Sequence, residues 1–297
     1  MFRAKLWGMV LVIFLSVGVR AAEVVRISAV ALKNFGDSKA EDAARLEFIA
    51  NRIAEQALKG VCVVDELQDK DGSAMDRLHE AVGRAICQDV SMELSDRVGG
   101  GRKEQFGFFW NPALLDLIGE ETFYFDEIQR DPSVATFRAK GGFDFTLCAF
   151  HTRPAGSPLR KELDFLDDVF QAVQDADPLE NDVIFLGDFN APPERMTQYG
   201  QNLGILDTTG GAIPNVYFVI RDRPTNVRRN KLFDNIFFDA LETDEYIPGP
   251  QHVLYLDQLL DEYPEEIDDD DPEGWLLRNV MDHCPVYAHF WADRDTD

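Results

Sequence analysis

The chain has 297 residues, with 54 acidic and 29 basic side chains and a formal net charge of −25. Hydrophobic residues at 45% and charged residues at 28% give the mix of a folded globular protein long enough to bury a sizeable core. With 21 glycines, 14 prolines and 4 cysteines, collagen-like and disulfide-scaffold organisations are excluded, and one long apolar run excludes a multi-span membrane protein.

That run opens the chain. Arg3 and Lys5 precede apolar residues 6–17, and the small residues Val19, Ala21 and Ala22 follow. A charged start, an apolar stretch and a small-residue exit predict a signal peptide over residues 1–21, cleaved after Ala21. An uncleaved anchor would need about 20 apolar residues to span a bilayer. Cleavage removes three cations and no acid, taking the charge to −28. The expectation is a secreted or periplasmic protein with one domain over residues 22–297 and no stable membrane association. Export permits disulfides, and four cysteines allow three pairings, which stay open. Cys62, Cys148 and Cys284 lie in or beside apolar runs, where a lone cysteine is usually a small core residue. No CxxC or Cys/His spacing points to zinc.

Residues 24–30 are β-branched and apolar and predict the first strand. Ser38 and Glu41 resemble a capping box, after which Leu46, Ile49, Ala50, Ile53 and Ala57 share one helical face. Residues 61–64 predict a buried strand ending in Asp65-Glu66, and Met75, Leu78 and Val82 a short helix. Gly99, Gly100 and Gly101 form a loop without the GxGxxG spacing of a nucleotide fingerprint. Strands are expected at 106–110 and 143–150, and one amphipathic helix at 157–176, along Leu159, Leu163, Leu166, Phe170 and Val173. A strand at 183–186 runs into Gly187-Asp188-Phe189-Asn190, and strands at 232–238 and 285–291 close the pattern. Helices and strands alternate early and strands dominate late, which predicts a mixed α/β (α+β) sandwich. Residues 261–273 hold nine carboxylates and no base, an acidic insertion expected to be solvated; the EF-hand spacing for Ca2+ is absent.

The apolar runs are expected to terminate in chemically capable groups: Glu66, His151, Asp188 with Asn190, Asp234, and Asp282 with His283. Strand ends are where a rigid sheet presents side chains at an exposed rim. Carboxylates with two histidines and no thiolate suit a hard divalent cation, Mg2+ or Mn2+, with Ca2+ a further candidate.

These residues lie within "IFLGDFNAPP" (184–193), "CAFHTRP" (148–154) and "MDHCPV" (281–286). Together with "VVDELQD" (63–69), "RKEQFGFFW" (102–110), "QRDP" (129–132) and "KLFDNIFF" (231–238), they resemble the endonuclease/exonuclease/phosphatase superfamily, closest to its deoxyribonuclease I-like branch. The resemblance runs over about residues 25–290. It implies a four-layer sandwich of two packed mixed β-sheets flanked by helices. It implies a metal-dependent phosphodiester hydrolase, most simply a secreted endonuclease acting on DNA. Position by position it implies Glu66 as metal ligand with Asp282 near the metal or phosphate, and Asp188 and Asn190 orienting phosphate and water. His283 with Asp234 falls on the general-base side, His151 with Glu104 is the second catalytic pair, and Arg130 contacts the substrate phosphate.

Departures from the family pattern bear on activity and substrate. Ala31 stands where the family has asparagine, with Asn34 nearby as a candidate substitute, and Asp65 stands where glutamine precedes the metal glutamate. Gln68 replaces a basic residue that reads the DNA minor groove in deoxyribonuclease I. A charge of −28 opposes nucleic acid at long range, whereas Arg221, Arg223, Arg228, Arg229 and Lys231 form a basic strip before Asp234. Two alternatives stay open: a phosphoinositide- or sphingomyelin-type phosphoesterase of the same superfamily, and a catalytically degenerate phosphate-binding member.

Overall fold

The apolar runs become strands of two sheets. The computed structural model describes residues 24–199, 213, 215–249, 252–256 and 271–295. The expected signal peptide lies outside the described residues, as does residue range 261–270 of the acidic segment. In chain order the elements are β1 (Val24–Phe35), α1 (Asp37–Ala40), α2 (Ala43–Ala57), β2 (Gly60–Leu67), α3 (Ser73–Ile86), β3 (Ser91–Leu94), β4 (Gln105–Trp110), β5 (Leu115–Thr122), β6 (Ser133–Ala139) and β7 (Asp144–His151). There follow α4 (Gly156–Asp164), α5 (Leu166–Ala176), β8 (Val183–Asp188), α6 (Pro193–Tyr199), β9 (Val216–Phe218), β10 (Asp234–Asp239), β11 (Tyr246–Ile247), α7 (Pro272–Asn279) and β12 (Val286–Trp291).

Among the described residues these strands form two six-stranded mixed sheets, ordered β11-β12-β1-β2-β4-β3 and β5-β6-β7-β8-β10-β9. Each holds one parallel pair at its centre, β1 with β2 and β7 with β8, flanked by antiparallel neighbours. The sheets face each other through a large aromatic layer. Phe137 stacks on Phe145 at 5.9 Å and meets Trp110 edge-on at 5.5 Å, while Phe143 stacks on Phe290 at 6.0 Å. The same core extends outward beneath α2 and α3, which bury Ile49, Ile53, Met75 and Leu78. A second core lies on the far side of the other sheet, where Leu159, Leu163, Leu166 and Phe170 of α4 and α5 cover Phe150, Phe185 and Phe237. Helix, sheet, sheet, helix is the expected four-layer order.

Two local expectations are corrected. Ser38 does not cap the long helix: it lies inside the one-turn α1, and Asp42 caps α2 by accepting from Arg45 N at 3.1 Å. The helix expected at 157–176 is two helices, broken at Phe165 (φ −98°, ψ 0°), whose ring leaves the axis to meet Phe125 edge-on at 5.4 Å. No disulfide joins the four cysteines, all of which lie among the described residues. Cys62, Cys148 and Cys284 are buried, and burial pushes the Cys62 thiol up to about 12.

Candidate active site

The site residues gather at one rim because of strand direction. Parallel strands β2, β7 and β8 end there, bringing Glu66, His151 and Asp188. Antiparallel neighbours must begin where these end, so Glu104 just before β4, Asp234 at the start of β10 and His283 just before β12 arrive at the same edge. The expectation that every group would sit at a strand's C-terminal end is therefore corrected for Asp234, Asp282 and His283. The β7–β8 pair brings His151 opposite Asp188 in register. Gly187 makes that approach feasible. It sits at φ +129°, and a Cβ there would lie 2.0 Å from the Phe150 carbonyl oxygen.

Two histidine–carboxylate pairs face each other across Asp188. His151 Nδ1 lies 3.0 Å from Glu104 Oε2, and its Nε2 lies 3.8 Å from Asp188 Oδ2. His283 Nδ1 lies 3.0 Å from Asp234 Oδ1 and 3.8 Å from Asp188 Oδ2. In each pair the carboxylate holds Nδ1–H, which leaves Nε2 free for proton transfer. Burial works against charge on His283, yet Asp234 and Asp188 outweigh it and hold its pKa well above the ordinary value. Burial raises the Asp188 carboxyl, against the pull of His283. Asn190, in the left-handed region at φ +50°, turns its backbone N–H onto Asp188 Oδ1 at 2.8 Å. Its side-chain N–H donates to Asp188 Oδ2 and to the Thr152 carbonyl, both at 3.1 Å. Arg130 donates from Nε to Glu104 Oε1 and points Nη1 at the Thr152 carbonyl, 3.3 Å away.

Glu66 adopts φ +58° and accepts the Asn34 backbone N–H on Oε2 at 3.0 Å. Burial raises its pKa, and the charges of His151, Asp282, Asp188 and His283 all act on it. Asp282 lies beside Lys33, whose Nζ is 3.9 Å from Oδ2, while its buried Oδ1 has no hydrogen-bond partner. Asp65, paired in register with Ala31, is likewise buried with Oδ1 unpartnered, and desolvation holds its pKa well above the carboxylate range. Carboxylate oxygens short of donors, set among like charges, form a hard-donor set that fits Mg2+, Mn2+ or Ca2+. Asp188, Asp234 and His283 also bring three ligand atoms within 4.8 Å of one another, but His283 spends its Nδ1 on Asp234. Glu66 and Asp282 keep carboxylate oxygens that could hold such a cation.

Every site residue expected from the sequence lies at this rim. Asn34 reaches Glu66 through its backbone; its side-chain oxygen accepts from Gln68 Nε2 instead. The sequence reading missed Thr225, whose hydroxyl donates to Asp234 Oδ2 at 2.6 Å and accepts from the Phe233 and Asp234 amides. Only its position nine residues before Asp234, within the basic strip, could have drawn notice.

Over residues 32–257 the chain matches the Endonuclease/Exonuclease/phosphatase family. Deoxyribonuclease-1 of Gallus gallus is 27% identical over 184 residues, covering 58% of this chain and 62% of the relative. Deoxyribonuclease gamma of Homo sapiens is 27% identical over 192 residues, covering 60% of each chain. The chain thus spans less than two thirds of the length of these relatives. Among solved structures, humanized D. rerio TDP2 superposes with a TM-score of 0.61 at 17% identity, covering 91% of this chain and 99% of that one. The catalytic domain of human Nocturnin with a bound sulfate anion gives 0.58 at 13% identity, covering 90% and 94%. The structural likenesses carry the fold, and the family match spans well over half the residues: the chain belongs to the Endonuclease/Exonuclease/phosphatase family.

Proposed function

We propose that this chain is a divalent-metal-dependent phosphodiester hydrolase acting on nucleic acid, DNA first, and that it works outside the cytoplasm after losing residues 1–21. The observation that carries the reading is the pair of histidine–carboxylate units converging on Asp188 beside the oxygen-rich Glu66 and Asp282. Hydrolysis of a phosphodiester adds water in line to phosphorus and builds negative charge on the non-bridging and leaving oxygens. One imidazole must take a proton and another give one. In its neutral form His283, held by Asp234, accepts the proton of the attacking water, and in its protonated form His151, held by Glu104, donates to the leaving oxygen. Asp188 and Asn190 orient water and phosphate, and Arg130 adds fixed positive charge toward the substrate. A cation bound by Glu66 and Asp282 would supply Lewis-acid stabilisation of phosphate charge.

The nucleic-acid part of the reading rests on the deoxyribonuclease relatives and on one loop. Residues 221–231 are fastened to the site by Val227 N donating to the Asp282 carbonyl at 2.8 Å and Cys284 N to the Thr225 carbonyl at 2.6 Å. That loop bridges to His283 through Asn226 and carries Arg228, Arg229 and Lys231 exposed. Local cations at a phosphate-cleaving rim counter the overall negative charge.

Plasmid nicking by the protein lacking residues 1–21, with Mg2+, Mn2+ or EDTA and beside His283→Ala, tests this. Nicking that needs metal and falls ~10²–10⁴-fold in the variant is the expected result. Hydrolysis of a generic phosphodiester without nicking would move the substrate to a small molecule or lipid headgroup. Loss of both activities would overturn the enzymatic reading.

A further inference from the structure

Glu162 lies on α4, in the outer helical layer, and its residue is 1% exposed. A buried carboxylate is costly unless its oxygens are filled with donors and its charge is paired. Here the donors come from two separate loops. Oε1 accepts the Gln129 backbone N–H at 3.0 Å, and Oε2 accepts the Arg153 backbone N–H at 2.6 Å. The Arg153 guanidinium, with Nε 3.2 Å from Oε1, supplies the counter-charge. The first loop joins β5 to β6 and carries Arg130 directly after Gln129. The second joins β7 to α4 and carries Thr152 directly before Arg153, with His151 at the strand end just ahead of it.

The two loops meet again inside the site. Arg130 donates to Glu104, the carboxylate that holds the His151 ring, and its Nη1 lies 3.5 Å from the His151 carbonyl and 3.3 Å from that of Thr152. The Thr152 carbonyl also receives the Asn190 side chain. Glu162 therefore clasps the loops on the outside while Arg130 clasps them within. An ionised carboxylate suits this place because it is acceptor-only on both oxygens. A glutamine would turn an NH2 group toward one of the two backbone donors.

We propose that Glu162 is a positioning residue of the active site: by holding the Gln129 and Arg153 amides in one frame it sets Arg130 against Glu104, and through Glu104 the His151 ring. The catalytic half of this proposal rests on the phosphodiester reading above, whereas the positioning half stands on geometry alone. A plain helix-to-loop staple would lower stability when cut yet leave the Arg130–Glu104 bond intact.

The test compares wild type, Glu162→Gln, Arg130→Ala and the double variant by two readouts. The first is the exchange rate of the Arg130 Nε–H in proton–nitrogen NMR, assigned by its loss in Arg130→Ala. Wild type should show a slowly exchanging signal, and Glu162→Gln should exchange at least ~10-fold faster. The second is kcat/KM on bis(p-nitrophenyl) phosphate with Mg2+. Glu162→Gln should lose ~10–100-fold, mainly in kcat. The double variant should fall no more than ~2-fold below Arg130→Ala, because the two changes break one chain of contacts. An unchanged Arg130 signal, or losses that multiply, overturns the proposal. Should Glu162→Gln not fold, Glu162→Asp carries the same comparison, since the shorter side chain keeps its charge and reaches only one loop. Absence of turnover in wild type would sink the phosphodiester reading, and the NMR arm would still decide the role of Glu162.

Discussion

Thr225 shows how much one hydroxyl can hold. Fully buried, it donates to Asp234 and accepts from two backbone amides, so it fixes the carboxylate that holds His283. Thr225→Val keeps the shape, strands both amides and removes one donor from the Asp234 carboxylate. The expected cost is ~1–3 kcal/mol in denaturant melts, with turnover down about tenfold, while Thr225→Ser retains both. Glu66 makes the opposite case. Its carboxyl is raised by burial among other acids, so the ionised form strains the metal-free protein. Glu66→Gln should melt higher than wild type without metal and lose most of the rise in melting temperature that Mg2+ produces. A variant that melts lower and still responds fully to Mg2+ would remove Glu66 from the metal site.

At the scale of elements, the β7–β8 pairing is the joint on which the rim depends. Gly187→Ala places a methyl against the Phe150 carbonyl at a backbone angle that side chains rarely adopt, and neither strand has a flexible tip to yield. Loss of more than ~2 kcal/mol is expected, and a melt within 1 °C of wild type would contradict the register. The central strands were legible because burial on both faces makes each a continuous apolar run. The β5–β6 hairpin escaped notice. Strand β5 is an edge with Asp116 and Glu121 exposed, and a bulge between Leu117 and Gly119 breaks its alternation. The break at Phe165 was hidden because Leu163 and Leu166 keep helical spacing across it. His151, Asp188 and His283 could be read from motifs that hold chemistry in a few adjacent residues. Glu162 and Thr225 could not, since they act by accepting or donating to backbone of segments distant in sequence, and a hydrogen bond to backbone leaves no residue-type signature at the other end.

For the whole molecule, charge sets the response to pH. The rim concentrates Asp65, Glu66 and Asp188, each held above its ordinary pKa first by burial. His283 is raised too, by Asp234 and Asp188 against the effect of burial. All four groups therefore bind protons more tightly folded than unfolded, and where the native state holds more protons, stability falls as pH rises. For the carboxyls the loss begins above their unfolded values of 3.8 for Asp65 and Asp188 and 4.5 for Glu66. For His283 the stabilising contribution is complete below 6.5 and disappears as pH climbs through its raised folded value. The metal-free protein should accordingly melt highest under mildly acidic conditions and lose melting temperature steadily through neutral into alkaline pH. Mg2+ should reverse the trend at the alkaline end, because a divalent charge replaces the protons among the same oxygens and binds best where they are ionised. Thermal melts from pH 5 to 9, with EDTA and with excess Mg2+, should give two curves that converge on the acid side and separate on the alkaline side. Parallel curves would mean that the cation binds away from this cluster, and a metal-free curve rising with pH would mean that the rim carboxyls are not what burial makes of them.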